Sequence, residues 1–305
     1  TLVRNRFDTT QPSTPLFMNI HRATHLGMCF GVRDAIELAL DRAAREPVTI
    51  LGDLVHNPTV LGRLRRNGIQ IEADPDRVNT ASVMITAHGA SERRIGALQA
   101  RGFRVTEATC PLVRVAHRAL NSLVAAGFYP VVVGLRNHVE VRGMTEDLAA
   151  FEVVLNENEV DALAERPRFG VIAQTTQPIA RVRELVARLR RRFPRSEIRF
   201  VDTVCQPTKQ RQHAAEELAQ RCQAIVVVGG ALSNNTRQLA ETCRRHGARV
   251  YRVETAADLD PAWFAGVSDV GLTAGTSTPD ETIATVEARL REIDAGLASY
   301  QRRAE

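Results

Sequence analysis

Residues Ser82–Val115 read SVMITAHGASERRIGALQARGFRVTEATCPLVRV. Val83-Met84-Ile85-Thr86 is a short apolar run closed by Ala87-His88-Gly89. A helical pattern follows from Ser91 to Arg101, and a second run, Phe103 to Ala108, ends in Thr109-Cys110-Pro111. Strand, helix, strand in that order makes the two strands parallel neighbours, because the crossover returns the chain to the same end of the sheet. His88 and Cys110 then share the carboxyl edge, where open α/β sheets bind ligands.

The same arrangement recurs on both sides of this stretch. A strand over Phe17 to Ala23 leads to Cys29, held in the turn Gly27-Met28-Cys29-Phe30-Gly31-Val32 before a helix from Arg33 to Arg45. Val48 to Leu51 leads to His56, Tyr129 to Gly134 leads to His138-Val139-Glu140, and Gly170 to Ala173 leads to Gln174-Thr175-Thr176. Glu197 to Val201 leads to Cys205, Ala224 to Val228 to Ser233-Asn234-Asn235, and Asp269 to Thr273 to Ser277. From Cys29 to His56 is 27 residues, and from Cys110 to His138 and from Cys205 to Ser233 it is 28. The next step, to His88, Thr175 and Ser277, lengthens from 32 to 37 to 44. Such spacing describes three α/β units with parallel sheets, each giving one cysteine and two polar strand exits, arranged pseudo-three-fold around a central site. The units are expected over residues 31–110, 111–204, and 205–290 together with 17–30. A disordered extension over 1–16 and a carboxyl-terminal tail over 291–305 complete the chain.

Composition narrows the function classes. At 44% hydrophobic and 25% charged residues the chain is an ordinary globular protein, without the roughly 18-residue apolar run of a membrane span. The first fifteen residues are too polar for a secretory signal, so the expectation is a cytoplasmic protein. A net charge of +5 invites a nucleic-acid reading, but the arginines are scattered and Lys209 is the only lysine. The densest run, Arg181 to Arg195, carries Val182, Leu185, Val186 and Leu189 at helical spacing, which describes a solvated helix face. Neither a Walker A loop nor a G-x-G-x-x-G turn is present. Five cysteines without an export signal argue against disulfides. Cys222 and Cys243 fall inside helical stretches (214–223 and 237–245) and read as packing residues.

Cys29, Cys110 and Cys205 are too far apart in sequence for a zinc finger, whose ligands come in close pairs. Three readings stay open on the residues alone. The thiolates could hold a 4Fe-4S cluster, which normally takes four ligands and would here keep one iron open. They could instead form an open Cys₃ zinc site, or be buried structural residues. An open iron is a Lewis acid that also passes electrons, which suits reductive removal of a hydroxyl. His56, His88 and His138 could bind metal; beside Ser233, Asn235 and Ser277 they look more like a cradle for phosphate oxygens, supported by helix amino termini. Glu140, two residues beyond His138, is placed to donate a proton if burial raises its pKa.

Taken together with Val55-His56-Asn57-Pro58, Ala108-Thr109-Cys110-Pro111-Leu112-Val113, Asp202-Thr203-Val204-Cys205 and Thr273-Ala274-Gly275-Thr276-Ser277, these motifs resemble the ordered set of the 4-hydroxy-3-methylbut-2-enyl diphosphate reductase family, from about Ile20 to Leu290. The resemblance implies a three-lobed α/β fold with a 4Fe-4S cluster on Cys29, Cys110 and Cys205. It implies diphosphate binding by His56, His88, Ser233, Asn235 and Ser277, places Asn234 among the substrate-binding residues, and has Thr175, Glu140 and His138 organising and protonating an allylic hydroxyl. The implied reaction is a two-electron, two-proton reductive dehydroxylation to isopentenyl and dimethylallyl diphosphates, fed by a donor such as ferredoxin or flavodoxin, with no nucleic-acid or membrane partner. Departures are Met28 for the usual Phe, Val139 for the Pro of His-Pro-Glu, and Ser233-Asn234-Asn235 for Ser-Ser-Asn or Ser-Gly-Asn. Two of them lie around the substrate, so a paralogue acting on a related allylic diphosphate is a second reading. A non-catalytic phosphate-ligand binding protein with structural cysteines is a third, from another class.

Overall fold

The computed structural model describes residues 17–304, so the extension expected over 1–16 lies outside the described residues. The first elements are β1 (Asn19–Arg22), α1 (Phe30–Ala43), β2 (Val48–Leu51), α2 (Pro58–Arg66), β3 (Gln70–Glu72), β4 (Ser82–Ile85), α3 (Glu92–Ala100) and β5 (Arg104–Glu107). Next come α4 (Pro111–Ala125), β6 (Tyr129–Val133), α5 (Val139–Thr145), β7 (Glu152–Val154), α6 (Glu157–Asp161), β8 (Arg168–Ala173), α7 (Ile179–Arg192) and β9 (Glu197–Phe200). The last are α8 (Gln206–Arg221), β10 (Ala224–Val228), α9 (Asn234–Arg245), β11 (Arg249–Val253), β12 (Asp269–Ala274) and α10 (Asp280–Ala304).

The strands form three four-stranded parallel sheets with one topology, β3-β2-β4-β5, β7-β6-β8-β9 and β11-β10-β12-β1. The first strand of the chain thus completes the sheet of the last, Asn19 to Arg22 pairing in register with Asp269 to Leu272. The physical cause is a run of residues apolar on both faces. Val226 and Val228 pack into the core under α10, while Ile225 and Val227, pointing the other way, pack under α8 and α9. Met84 likewise faces α1 and α2 while Val83 and Ile85 face α3. A strand buried on both faces needs helices on both sides, which is the parallel α/β solution. In the opening stretch the strands and helix agree with the expectation to within a residue or two.

Three details differ. Helix α1 begins at Phe30, not Arg33, so Cys29 is its N-cap and Gly31 lies in its first turn. Cys222 stands outside its helix as the C-cap of α8, buried in the core of the third sheet. Helix α10 continues through the stretch expected as a tail, with Ile293 buried in the same core as Val286 and Leu290. The arginine-rich stretch is α7, with Val182, Leu185, Val186 and Leu189 buried and Arg181 and Arg188 ion-paired to Glu157 and Asp161. Part of its charge is therefore paired with neighbouring carboxylates, and Arg190, Arg191 and Arg192 stand in its last turn. No helix among the described residues is long and apolar enough to cross a membrane.

Candidate active site

Each cysteine of interest caps a helix: Cys29 caps α1, Cys110 caps α4 and Cys205 caps α8. None of the three makes a full side-chain cap hydrogen bond, but the first-turn amides of Leu112 and Val113 act on the Cys110 thiol and that of Thr208 on the Cys205 thiol, which also donates to Thr208 Oγ1 at 3.1 Å. Each cysteine amide donates to a carbonyl beyond the third-exit strand of a sheet. Cys29 N–H reaches Thr276 O at 3.0 Å, Cys110 N–H reaches Ala87 O at 3.0 Å and Cys205 N–H reaches Thr175 O at 3.0 Å. Three equivalent bonds place the three thiols in one cavity. All five cysteines are free. Burial pushes the Cys205 thiol up to about 11 and raises that of Cys110, and a charge on Cys29 or Glu140 raises both further. These thiols stay protonated unless a cation joins them.

The amide bonds also correct the register of the repeat. Ala87, Thr175 and Thr276 are equivalent, so the residue matching His88 and Ser277 is Thr176, one place beyond the Thr175 chosen by spacing. Thr176 lines the cavity and its Oγ1 accepts from Asn234 Nδ2 at 2.9 Å, tying the second sheet to the third. A similar shift affects the second exits. There the helix N-caps are Asn57, His138 and Ser233, because the loop after β2 is one residue longer than its counterparts. His56 precedes its cap and still lines the same cavity.

The polar residues named from sequence converge there. The rings of His56 and His88 stack at 4.6 Å between centroids, and His138 lies edge-on 5.4 Å from each. One ligand atom from each of the three lies within 4.8 Å of the others, close enough to share an ion or an oxyanion. Burial, with neighbouring His56 and Arg237 adding, lowers the His138 pKa to about 4. Burial beside His56 and His138 holds His88 well below the ordinary histidine range. Both are neutral near pH 7. His138 Nδ1 accepts from the Glu140 amide at 3.1 Å, so its proton is on Nε2 and that nitrogen is the donor.

Ser233 caps α9, accepting from Thr236 N–H at 3.3 Å, and it also lines the cavity. Asn235, 2% exposed, accepts through Oδ1 from Thr276 N–H at 3.0 Å, which turns its Nδ2 donor elsewhere. That Nδ2, Ser277 Oγ and the Nδ1 atoms of His56 and His88 are buried with no hydrogen-bond partner among the described residues, His56 Nδ1 having only Asp53 Oδ2 at 3.6 Å. Buried polar groups rarely lack partners; four beside one cavity mark a ligand-binding surface. Glu140 is 1% exposed, and its Oε1 accepts from Thr175 N–H at 2.7 Å. Burial raises its pKa to about 7 against the lowering by the Thr175 amide and hydroxyl.

Two glycines also escaped the sequence reading. Gly31 is required because a Cβ there would come within 2.5 Å of Cys110 Sγ. Gly230 is required because a Cβ would come within 2.4 Å of His56 O, where the third sheet's loop meets the first. The glycine flanking Cys29 was visible as a letter, but only the fold shows which thiol it makes room for.

A three-sheet parallel α/β protein with three helix-capping thiols, a ring of neutral donors and one protonatable carboxyl around a single cavity is the class these observations define. The LytB protein family matches residues 20–291, and the chain belongs to that family. It is 37% identical over 279 residues to the 4-hydroxy-3-methylbut-2-enyl diphosphate reductase of Pelobacter propionicus, covering 91% of this chain and 99% of that protein. Against the enzyme of the same name from Aquifex aeolicus it is 34% identical, covering 90% and 96%. The solved E-1-hydroxy-2-methyl-but-2-enyl-4-diphosphate reductase of Plasmodium falciparum superposes with a TM-score of 0.84 at 26% identity, over 90% of this chain and 88% of that one. A second solved structure, an (E)-4-hydroxy-3-methyl-but-2-enyl diphosphate reductase described as the terminal enzyme of the non-mevalonate pathway, gives 0.64 at 33% identity, over 90% and 99%.

Proposed function

We propose that this chain reduces 4-hydroxy-3-methylbut-2-enyl diphosphate to isopentenyl and dimethylallyl diphosphates, with loss of the hydroxyl as water. The observation that carries this reading is the single cavity in which three N-cap thiols meet a set of hydrogen-bond donors and a protonatable carboxyl. The thiols suit an iron-sulfur cluster. They are free, buried, and set at the positive ends of three long helices, where thiolates and an anionic centre are stabilised. Cys29, Cys110 and Cys205 would hold a 4Fe-4S cluster with one iron left without a protein ligand. When bound, it supplies two electrons in single steps and Lewis acidity at the open iron.

The chain's own residues account for binding and proton delivery. Neither Lys nor Arg lines the cavity, so the diphosphate oxygens meet the side chains of His56, His88, Ser233, Asn235 and Ser277 and the free N–H groups of α9. Such a pocket suits an anion, because helix amino termini offer oriented donors and a favourable dipole. The histidine cluster could also accept a metal ion, but Asn235 Nδ2 is purely a donor and belongs with an oxyanion.

Glu140 is the acid. With Oε1 occupied by the Thr175 amide, its proton is on Oε2, and a pKa of about 7 leaves a large fraction of the acid form at neutral pH while allowing release. Thr175 can hold the hydroxyl in line or relay the proton. Neutral His138 orients the substrate through Nε2–H; a group titrating near 4 is a poor acid at pH 7. Electrons come from a small donor such as ferredoxin or flavodoxin, and the reaction takes place in the cytoplasm. Asn234, bonded to Thr176 rather than free, contributes by holding the third sheet against the second.

The test is an anaerobic assay of purified protein with this diphosphate and a reduced dye, with both products followed by mass spectrometry. Brown, iron- and sulfide-loaded protein that turns over supports the proposal. Loaded protein inactive on this substrate but active on a related allylic diphosphate would move it to a paralogue. Colourless protein that still binds diphosphate would leave a binding protein.

A further inference from the structure

Arg211 follows Cys205 by six residues on α8 and is 7% exposed. Burying a charge costs several kcal/mol unless a counter-charge meets it, yet no carboxylate among the described residues pairs with this guanidinium. Its donors are held by carbonyls: Nε by Gly27 O at 2.9 Å and Nη1 by Pro207 O at 2.9 Å. Gly27 precedes Cys29 by two residues and Pro207 follows Cys205 by two, so one planar fork spans the backbone of two cysteine segments. Carbonyl dipoles satisfy hydrogen bonds but do not neutralise a full charge. The negative charge available to it is that of the three-thiol centre once loaded, whose Cys29 and Cys205 segments this fork already spans.

We propose that Arg211 is the fixed counter-charge of the three-thiol centre, a positioning residue that retains the bound cluster and favours its reduced state. This rests on the iron-sulfur reading above. Three thiolates make the loaded site anionic, and each electron adds negative charge, so a desolvated cation stabilises the reduced form more than the oxidised one. An arginine that served only as a strut would act through geometry alone.

Two substitutions in the cluster-loaded protein separate charge from geometry. Arg211→Gln keeps a planar donor without the charge, and Arg211→Lys keeps the charge without the fork. Arg211→Gln is expected to lose iron to a chelator about 10- to 100-fold faster, the usual effect of removing an outer partner of a metal site, with a midpoint potential shifted negative. Arg211→Lys should hold its cluster at a potential near that of the unmodified protein. Equal iron loss from both variants, or an unchanged potential in Arg211→Gln, would overturn the assignment. Should Arg211→Gln fail to fold, Arg211→Lys decides: a retained cluster at native potential supports the proposal and rapid iron loss refutes it. Unmodified protein without iron or sulfide would refute the iron-sulfur reading itself, a result distinct from either.

Discussion

The thiol set and the donor set of the cavity are built on the same three-fold frame and use it in opposite ways. Every thiol arises identically, at a helix N-cap with its amide on a carbonyl beyond a neighbouring strand. Among the donors no two thirds agree. The first gives His56 and His88, the second His138, Glu140 and Thr175, and the third Ser233, Asn235 and Ser277. Three copies of one solution can hold a compact centre of high symmetry. An extended substrate with an anionic head and a hydroxyl tail presents a different group to each wall, so each third had to diverge.

The symmetric half breaks most severely where there is no spare volume. Ala is the better helix former by about 1 kcal/mol, so Gly31→Ala should favour α1 by propensity alone. Against that gain stands a Cβ placed 2.5 Å from Cys110 Sγ, which pushes the thiol out of place. Gly31→Ala is expected to lose nearly all cluster and activity, as read by iron and sulfide analysis. Gly96→Ala in α3, where a new Cβ meets nothing within 4 Å, should instead keep both and melt slightly higher. Full iron content in Gly31→Ala would show that the thiols are not held by this packing.

What was legible in the sequence follows the same division. In every sheet three of the four strands could be read, including the return of residues 19–22 toward the third unit. The fourth escaped in all three cases. Gln70–Glu72 and Glu152–Val154 are three residues long, too short to show a period of two, and Arg249–Val253 is an edge strand carrying two arginines. The cysteines were legible because a rare residue recurred at a constant offset. Thr176 was hidden by its neighbour Thr175, since spacing cannot choose between adjacent threonines when loop lengths vary. Arg211 was hidden because arginines are common throughout the chain, and only burial distinguishes it. Cys222 was placed one residue inside a helix that it in fact ends, an error of the size helix boundaries usually carry.

The asymmetric half breaks at Glu140. Glu140→Gln preserves shape and the bond from Thr175 N–H but removes the acid proton, and a fall in kcat of about 10²- to 10⁴-fold is expected, with cluster absorbance and diphosphate binding intact. The native pH profile carries the sign of the shift. Burial disfavours the carboxylate, so the acid form persists up to about pH 7 and kcat should decline as pH rises through that value. His138, already neutral above about 4, adds no limb near neutrality. Near-normal turnover by Glu140→Gln with an inactive His138→Asn would hand the acid role to the histidine and reverse the assignment within the donor set.

A gentler change sharpens the comparison by stiffening the asymmetric half alone. Val139 is the first residue of α5, directly after the N-cap His138, and stands where the family usually has proline. An N1 residue needs no amide proton for the helix, and its backbone angle is already near that of proline. The preceding residue must then avoid helical geometry, and His138 does, with φ −71° and ψ 139°. Val139→Pro should therefore stabilise the protein by about 0.4–1 kcal/mol through the unfolded chain, less the packing lost where Val139 lines a small cavity together with Leu51 and Gly89. That corresponds to a rise in Tm of roughly 1–3 °C for a chain of this size, measured on cluster-loaded protein. Because the proline restrains the loop that presents His138 and Glu140 without touching any thiol, iron content should not move and KM should change by less than about twofold. A lower Tm would mean that α5 does not begin at this residue in solution, and that the His138–Glu140 geometry is set by something other than this cap.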